Sequence, residues 1–422
     1  MVCELAAMSN TSATVVTSDA ANGGANYDRT VVACFIGYVT QAVINNFMPL
    51  LFVTFAATFG ISVARLSALI TVNFVTQLIV DVLAGRFVDR IGYKPCIIAA
   101  HVAALAGLLV LGLVPTHVAD PYPAILAAII LYALGGGLIE VMVSPIVEAC
   151  PSEHKAKAMS LLHSFYCWGQ LGTVVISTLF LFAFGTGSWP VLACLWGVVP
   201  IAGIVMFAGA PMPRIVPEGT ATMRFVDLAR RPVFYLMFLM MLCAGAAEQG
   251  MSQWASAFAE SGLGVTKVVG DLAGPAAFAL MMGLARTIYG VFGHRLNLTV
   301  YIAGSSVLCV AMYLTAALSP SPVLGLAACA ITGFSVGIMW PGTFSMAADA
   351  MPGGGTLMFA LLAVAGDLGC AGGPAVVGFI ASANSDNLQT GLLFGSVFAA
   401  VLLVCVFVVR RNASARRVEP RS

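Results

Sequence analysis

The stretch VDVLAGRFVDRIGYKP, Val80 to Pro95, decides how the rest of the chain is read. An apolar run stops there at a knot of charge, Arg86, Asp89, Arg90 and Lys94, threaded by Gly85 and Gly92. A knot of this kind serves as a phosphate-binding turn, as a surface loop, or as a hinge between membrane helices. Composition chooses among them. Of the 422 residues 60% are hydrophobic and only 9% are charged, against about a quarter charged in soluble domains. The chain is therefore read as a polytopic membrane protein. A net charge of +1 without a basic stripe excludes nucleic acid as a partner.

The eleven cysteines show no CxxC and no paired spacing, and most, such as Cys34, Cys194, Cys309 and Cys405, lie inside apolar runs. They read as small apolar fillers, with no metal site and no cofactor expected. The segment before Asn26 is rich in Ser, Thr, Asn and Ala and lacks a basic region followed by an apolar one, so residues 1–29 read as a disordered tail and not as a cleaved leader.

Twelve apolar stretches are long enough to cross a bilayer, which takes about twenty residues. They run Val31–Phe59, Leu66–Phe87, Pro95–Val114, Pro123–Val147, Met159–Phe184, Val191–Ala210, Val233–Phe258, Val268–Phe292, Leu298–Leu318, Pro322–Ala348, Leu357–Ala381 and Leu388–Val409. A lipid-exposed segment must satisfy its own backbone, so these are expected to be helices of an all-α protein. The side holding both termini carries Arg29, Arg86, Arg90, Lys94, Lys155, Lys157, Arg214, Arg224, Arg230, Arg231, Arg295 and the basic tail 410–422; the opposite side has only Arg65 and Lys267. By the positive-inside rule both termini face the cytoplasm, and the opening stretch is a cytoplasmic turn between the second and third helices of a cell-membrane protein.

The longest polar segment, residues 211–232, reads as a linker between two six-helix bundles, 30–210 and 233–409. Marks recur across it at an offset near two hundred residues. GRFVDR (Gly85 to Arg90) has a degenerate echo in GVFGHR (Gly290 to Arg295), with Asp81 and Arg286 each four residues before the glycine. SPIVEACP closes the fourth stretch and SMAADAMP the tenth, with Asp349 where Glu148 would be; GQLG (Gly169 to Gly172) corresponds to GDLG (Gly366 to Gly369).

Gly85, Asp89, Arg90, Gly92 and Lys94 fit the GxxxDRxG(R/K)(R/K) signature of the major facilitator superfamily, with Tyr93 replacing the first basic residue of the final pair. The chain resembles that family over almost its whole length. The resemblance implies two pseudo-symmetric six-helix bundles around a cavity that opens alternately to the two sides, and it makes the charged knot the cytoplasmic gate. The Asp89 carboxylate is expected to meet a helix N-terminus or Arg90 in one state and release it in the other. A narrower resemblance lies in IEVMVSPIVEACP, which is similar to the fucose permease type of sugar–proton symporter. That pattern has a membrane glutamate followed at +4 and +5 by Asn-Pro; here Glu140 is followed by Ser144 and Pro145. Where the pattern expects an acid in the first helix, this chain has Gln41, Asn45 and Asn46.

Asp81, Glu140, Glu248, Arg286 and Asp367 sit within apolar segments. At roughly 2.5 to 3.5 kcal/mol each they would cost about 12 to 18 kcal/mol together, so they must be paired, protonated or wet. Asp81 and Arg286, near the cytoplasmic ends, are expected to form gate ion pairs. Glu140, Glu248 and Asp367, nearer mid-segment, are expected to couple protons. Around them lie amides and flat rings: Gln41 and Asn45, Gln249 and Gln253 at i, i+4 spacing, with Ser144, Trp168, Gln170, Trp254 and Trp340. Amides bond hydroxyls and indoles stack on C–H faces, which suits a neutral polyhydroxylated solute.

No HExxH or paired-acid set is present, so no enzyme is expected, and the short tails argue against a signalling receptor on the same scaffold. The expectation is a monomeric secondary transporter importing a neutral sugar or polyol with protons. The alternative is a proton-antiport exporter of a drug-like or other metabolite.

Overall fold

The structure, a computed structural model, describes residues 27–150, 155–213, 225–292, 297–351 and 354–418. The expectations on residues 1–26, on Pro151, on most of the linker, on the end of the GVFGHR echo, on Pro352 and on 419–422 lie outside it. Among the described residues twelve helices are long and apolar enough to span a bilayer. They are α1 (Asp28–Phe59), α6 (Thr186–Gly209), α7 (Pro232–Gly262), α8 (Lys267–Tyr289) and α10 (Pro322–Ala350), with α2 (Val63–Ile91), α3 (Tyr93–Leu113), α4 (Pro121–Ala149), α5 (Lys155–Phe184), α9 (Leu298–Leu318), α11 (Gly355–Ala383) and α12 (Leu388–Val418). Several overrun the apolar stretches. α2 continues through the charged knot to Ile91 and α12 continues to Val418, because a helix needs only continuous backbone bonding and the ends of a span lie in water.

The packing repeats with a period of six helices. In the N-terminal half α1 packs on α5, α3 on α4 and α6, and α2 on α4; in the C-terminal half α7 packs on α11, α9 on α10 and α12, and α8 on α10. The halves meet along two equivalent seams, α2 with α11 and α5 with α8. Small residues make the close crossings possible. A Cβ on Gly369 would run into the main-chain oxygen of Leu242 in α7, and one on Gly135 into that of Ala100 in α3, so these glycines pack backbone on backbone.

Prolines break several spans and leave carbonyl oxygens without their helical donor. In α1 the α-helix ends at Asn46 and a 3-10 turn runs Met48–Leu51 around Pro49. α10 is interrupted between Val336 and Met339; the N–H that Pro341 lacks would have bonded the oxygen of Gly337, four residues before it. π-helical turns occur at Phe258–Gly262 in α7 and, around Pro275, at Leu272–Ala276 in α8.

Between α2 and α3, Gly92 has φ 101°, a conformation that favours glycine, and it lets the chain turn within one residue. Lys94 then donates at 3.0 Å to the main-chain oxygen of Ala210, just past α6, a cation on the carbonyl end of a helix. Arg90 is exposed. The side chains of Arg86 and Asp89 lie outside the described ones, and so does the expected switching of Asp89.

Candidate functional site

The polar residues singled out in the sequence converge at mid-membrane into one hydrogen-bonded chain that crosses from one half to the other. In the N-terminal half Gln41 Nε2 donates to Glu140 Oε2 at 2.6 Å and to Gln77 Oε1 at 2.7 Å. Gln77 Nε2 donates to Asn45 Oδ1 at 2.8 Å, and Asn73 Nδ2 donates to the same oxygen at 3.0 Å. The crossing is made by Gln253 of α7, whose Nε2 donates at 3.0 Å to the main-chain oxygen of Asn45 and at 3.0 Å to Gln249 Oε1. Gln249 reaches Glu248 Oε1 at 3.3 Å, and Glu248 Oε2 pairs with Arg286 Nη2 at 3.3 Å. Arg286 also donates through Nε to Gly337, the oxygen stranded by Pro341, at 3.3 Å, and through Nη1 to Cys167 Sγ of α5 at 3.4 Å. Gln170 Nε2 donates to Ser252 Oγ at 3.0 Å, a second polar bridge between the halves.

The wall toward α5 is aromatic. Tyr38 OH lies 3.2 Å from Ser144 Oγ and 3.5 Å from His163 Nδ1, and Tyr166 OH accepts from Asn45 and Asn46, each at 3.5 Å. Tyr166 and Tyr38 meet edge to face. Trp340 lies against the backbone of Gly366 and makes an edge contact with Phe344.

Four of the expectations are corrected. Trp168 is 47% exposed and shares its side of α5 with Leu161 and Leu179, so it faces outward, away from the polar chain. Trp254 is 1% exposed; its Nε1 donates to the main-chain oxygen of Pro374 at 3.0 Å and its ring packs on Phe52, which makes it part of the closed seam rather than a stacking platform. Arg286 is bound to Glu248 in the centre and forms no gate pair. Asp81, well inside the longer α2, meets no cation among the described residues: its carboxyl is within hydrogen-bonding reach of that of Asp367. Asn73 and Gln77 were not singled out. Their signal was present, since Asn73, Gln77 and Asp81 follow the same four-residue spacing on α2 as Gln41 and Asn45 on α1.

Among the described residues the remaining hydrogen bonds between the halves lie on the side opposite the termini. Lys267 Nζ donates to the main-chain oxygen of Leu50 at 2.6 Å, and Thr178 Oγ1 to Asp271 Oδ2 at 3.0 Å. Nearer the termini, a buried apolar cluster around Ile97, Ile139 and Phe207 is built from the N-terminal half alone. The two halves are thus bonded from mid-membrane outward to the far side, and His163, at the terminal end of the polar wall, is exposed.

Two six-helix halves sharing a polar seam at mid-membrane define a multi-pass membrane transporter. The family model described as "Major Facilitator Superfamily" matches residues 31–354, and the chain belongs to that family. By sequence no curated protein matches it. Among solved structures it is similar to the fucose:proton symporter FucP of E. coli, with TM-score 0.64 and 16% identity over 91% of this chain and 99% of that one. It is similar to a bacterial homolog of the human lysosomal transporter Spinster, with TM-score 0.74 and 15% identity over 94% of this chain and 100% of that one. A D-xylose–proton symporter gives TM-score 0.71 and 11% identity over 91% and 97% of the two chains.

Proposed function

We propose that this transporter moves a neutral, hydroxyl-rich solute, a sugar or polyol, into the cell together with a proton, with both termini in the cytoplasm. The observation that carries the reading is the company kept by Glu140. Its carboxyl receives one hydrogen bond, from the neutral Gln41, and no cation among the described residues pairs with it. Glu248 is already neutralised by Arg286 and Asp367 faces Asp81 across the seam of α2 and α11, so Glu140 is the unpaired carboxyl bonded directly to the central amides. The solute class follows from the neighbours: Gln41, Gln77, Asn45, Gln249 and Gln253 offer both donors and acceptors, and the one central guanidinium is occupied, which leaves nothing for an anion. The names of two similar structures, a fucose:proton and a D-xylose–proton symporter, agree with this class.

Loading of Glu140 on the far side and unloading toward the termini would couple the gradient to the solute. Glu140→Gln fixes the neutral form. In proteoliposomes it should still exchange labelled for unlabelled solute yet lose accumulation driven by a pH gradient, the solute being chosen by a thermal-shift screen of sugars and polyols. Concentrative uptake by Glu140→Gln under a proton gradient alone would remove this assignment.

A further inference from the structure

The seam between α2 and α11 has a definite extent. At the far side a Cβ on Gly378 would meet the side chains of Ser67 and Trp254, so the helices touch there. The helices run antiparallel from that point, and toward the termini along the same seam stand Asp81 and Asp367, one from each half, with their carboxyls within hydrogen-bonding reach. Asp367 is 8% exposed. Oδ1 of Asp81 is buried and accepts from no donor among the described residues. Glu140 from α4 is near enough to act on this pair electrostatically, Glu248 from α7 is near enough to act on Glu140, and the Cys370 thiol stands one turn along α11. Arg286 of α8 is the one central cation among the described residues and is committed to Glu248.

Two carboxylates in contact repel each other, and among the described residues neither has a donor or a cation to offset that repulsion. A single proton between them converts the repulsion into a hydrogen bond, the arrangement by which paired carboxyls share one proton. We propose that Asp81 and Asp367 form a proton-binding site shared by the two halves, in which the bound proton clasps α2 to α11 on the terminal side of their seam and its loss drives the two helices apart there. The step is a simple transfer: the proton leaves one carboxyl oxygen for water on the terminal side, and two carboxylates remain. The site is distinct from Glu140 and holds whatever the solute is. The clasp gives the opening of the terminal side its own dependence on pH, present in the absence of solute.

The test uses the full-length purified protein in liposomes, without solute. Infrared difference spectra between acidic and alkaline buffer report the C=O stretch of protonated carboxyls. Asp81→Asn and Asp367→Asn should each abolish the same band, since one proton is shared, and Glu140→Gln should leave that band in place. Separate bands lost in the two variants, or no band lost in either, would overturn the proposal. If a variant fails to fold, the unmodified protein still decides: hydrogen exchange along 80–91 and 355–367, corrected for the intrinsic pH dependence, should quicken about tenfold on deprotonation. Protection that does not change with pH would overturn the clasp. Failure of the Glu140 reading leaves both measurements untouched, so the two proposals stand or fall separately.

Discussion

Gln253 of α7 donates at 3.0 Å to the main-chain oxygen of Asn45 in α1, and that oxygen is free because Pro49, four residues on, has no N–H to offer it. The same device recurs in α10, where Pro341 strands the oxygen of Gly337 and Arg286 of α8 takes it at 3.3 Å. In hydrocarbon a stranded carbonyl cannot turn to water, so each proline dictates a polar contact with another helix. The first of these joins the two halves; the second fixes the guanidinium that neutralises Glu248.

Gln253→Leu should therefore destabilise the protein by about 1 to 3 kcal/mol, the desolvation penalty of an unmatched acceptor. Pro49→Ala supplies the missing N–H. Combined with Gln253→Leu it should recover part of that loss, a non-additivity readable by thermal unfolding in detergent. Strictly additive effects would mean that the Asn45 oxygen was not the group at stake.

Replacing Gln41, Asn45 or Gln77 by Ala should weaken solute binding by a factor of roughly two to twelve each, the worth of one neutral hydrogen bond of about 0.5 to 1.5 kcal/mol. Isothermal titration of the screened solute reads this directly. Unchanged affinity in all three would move the binding site off the α1–α2 face.

The two tryptophans separate by position. Trp168→Ala, on the outward side of α5, should leave solute affinity unchanged, whereas Trp254→Phe loses the bond to the Pro374 oxygen and should lower the unfolding temperature. A loss of affinity in Trp168→Ala would return that residue to the solute path.

The architecture was legible because hydrocarbon imposes it: apolar runs of span length, a polar linker in the middle and marks repeated near two hundred residues apart leave few alternatives. The participants of the site were legible to the extent that buried amides and acids must find partners, which brought out Gln41, Asn45, Gln253 and Glu140. Their pairing was not. Arg286 was read against the end of its apolar run, and only the approach of α8 to α7 and α5 gives it Glu248 and Cys167. Trp168 and Trp254 carry the same side chain one helix apart in role, and which face of α5 looks outward is decided by packing, not by residue type. Asp81 could be seen to need a partner, but that the partner is a second acid depends on α2 meeting α11 across the two halves.

The far-side closure turns on one cation. Lys267 Nζ holds the Leu50 oxygen of α1 at 2.6 Å, Glu260 of α7 at 3.1 Å and Asp271 of its own helix at 3.0 Å. Asp271 is 0% exposed and carries the cluster inward to Ser256 of α7 and Thr178 of α5. Lys267→Met removes the charge and leaves the Asp271 carboxylate buried with two hydroxyls only. Breaking a buried pair from one side costs about 3 to 5 kcal/mol, so the unfolding temperature should fall sharply. Asp271→Asn added to Lys267→Met removes the uncompensated charge while its amide oxygen accepts from one of the two hydroxyls and its NH2 donates to the other, and the double variant should be more stable than Lys267→Met alone. If the double variant is no more stable, the harm done by Lys267→Met comes from the lost tie to Leu50 between the halves. Transport then separates the two: a protein that refolds with the charge removed yet still lacks the Leu50 tie should leak its closed side, seen as faster efflux of preloaded solute from liposomes carrying the double variant than from the unmodified protein.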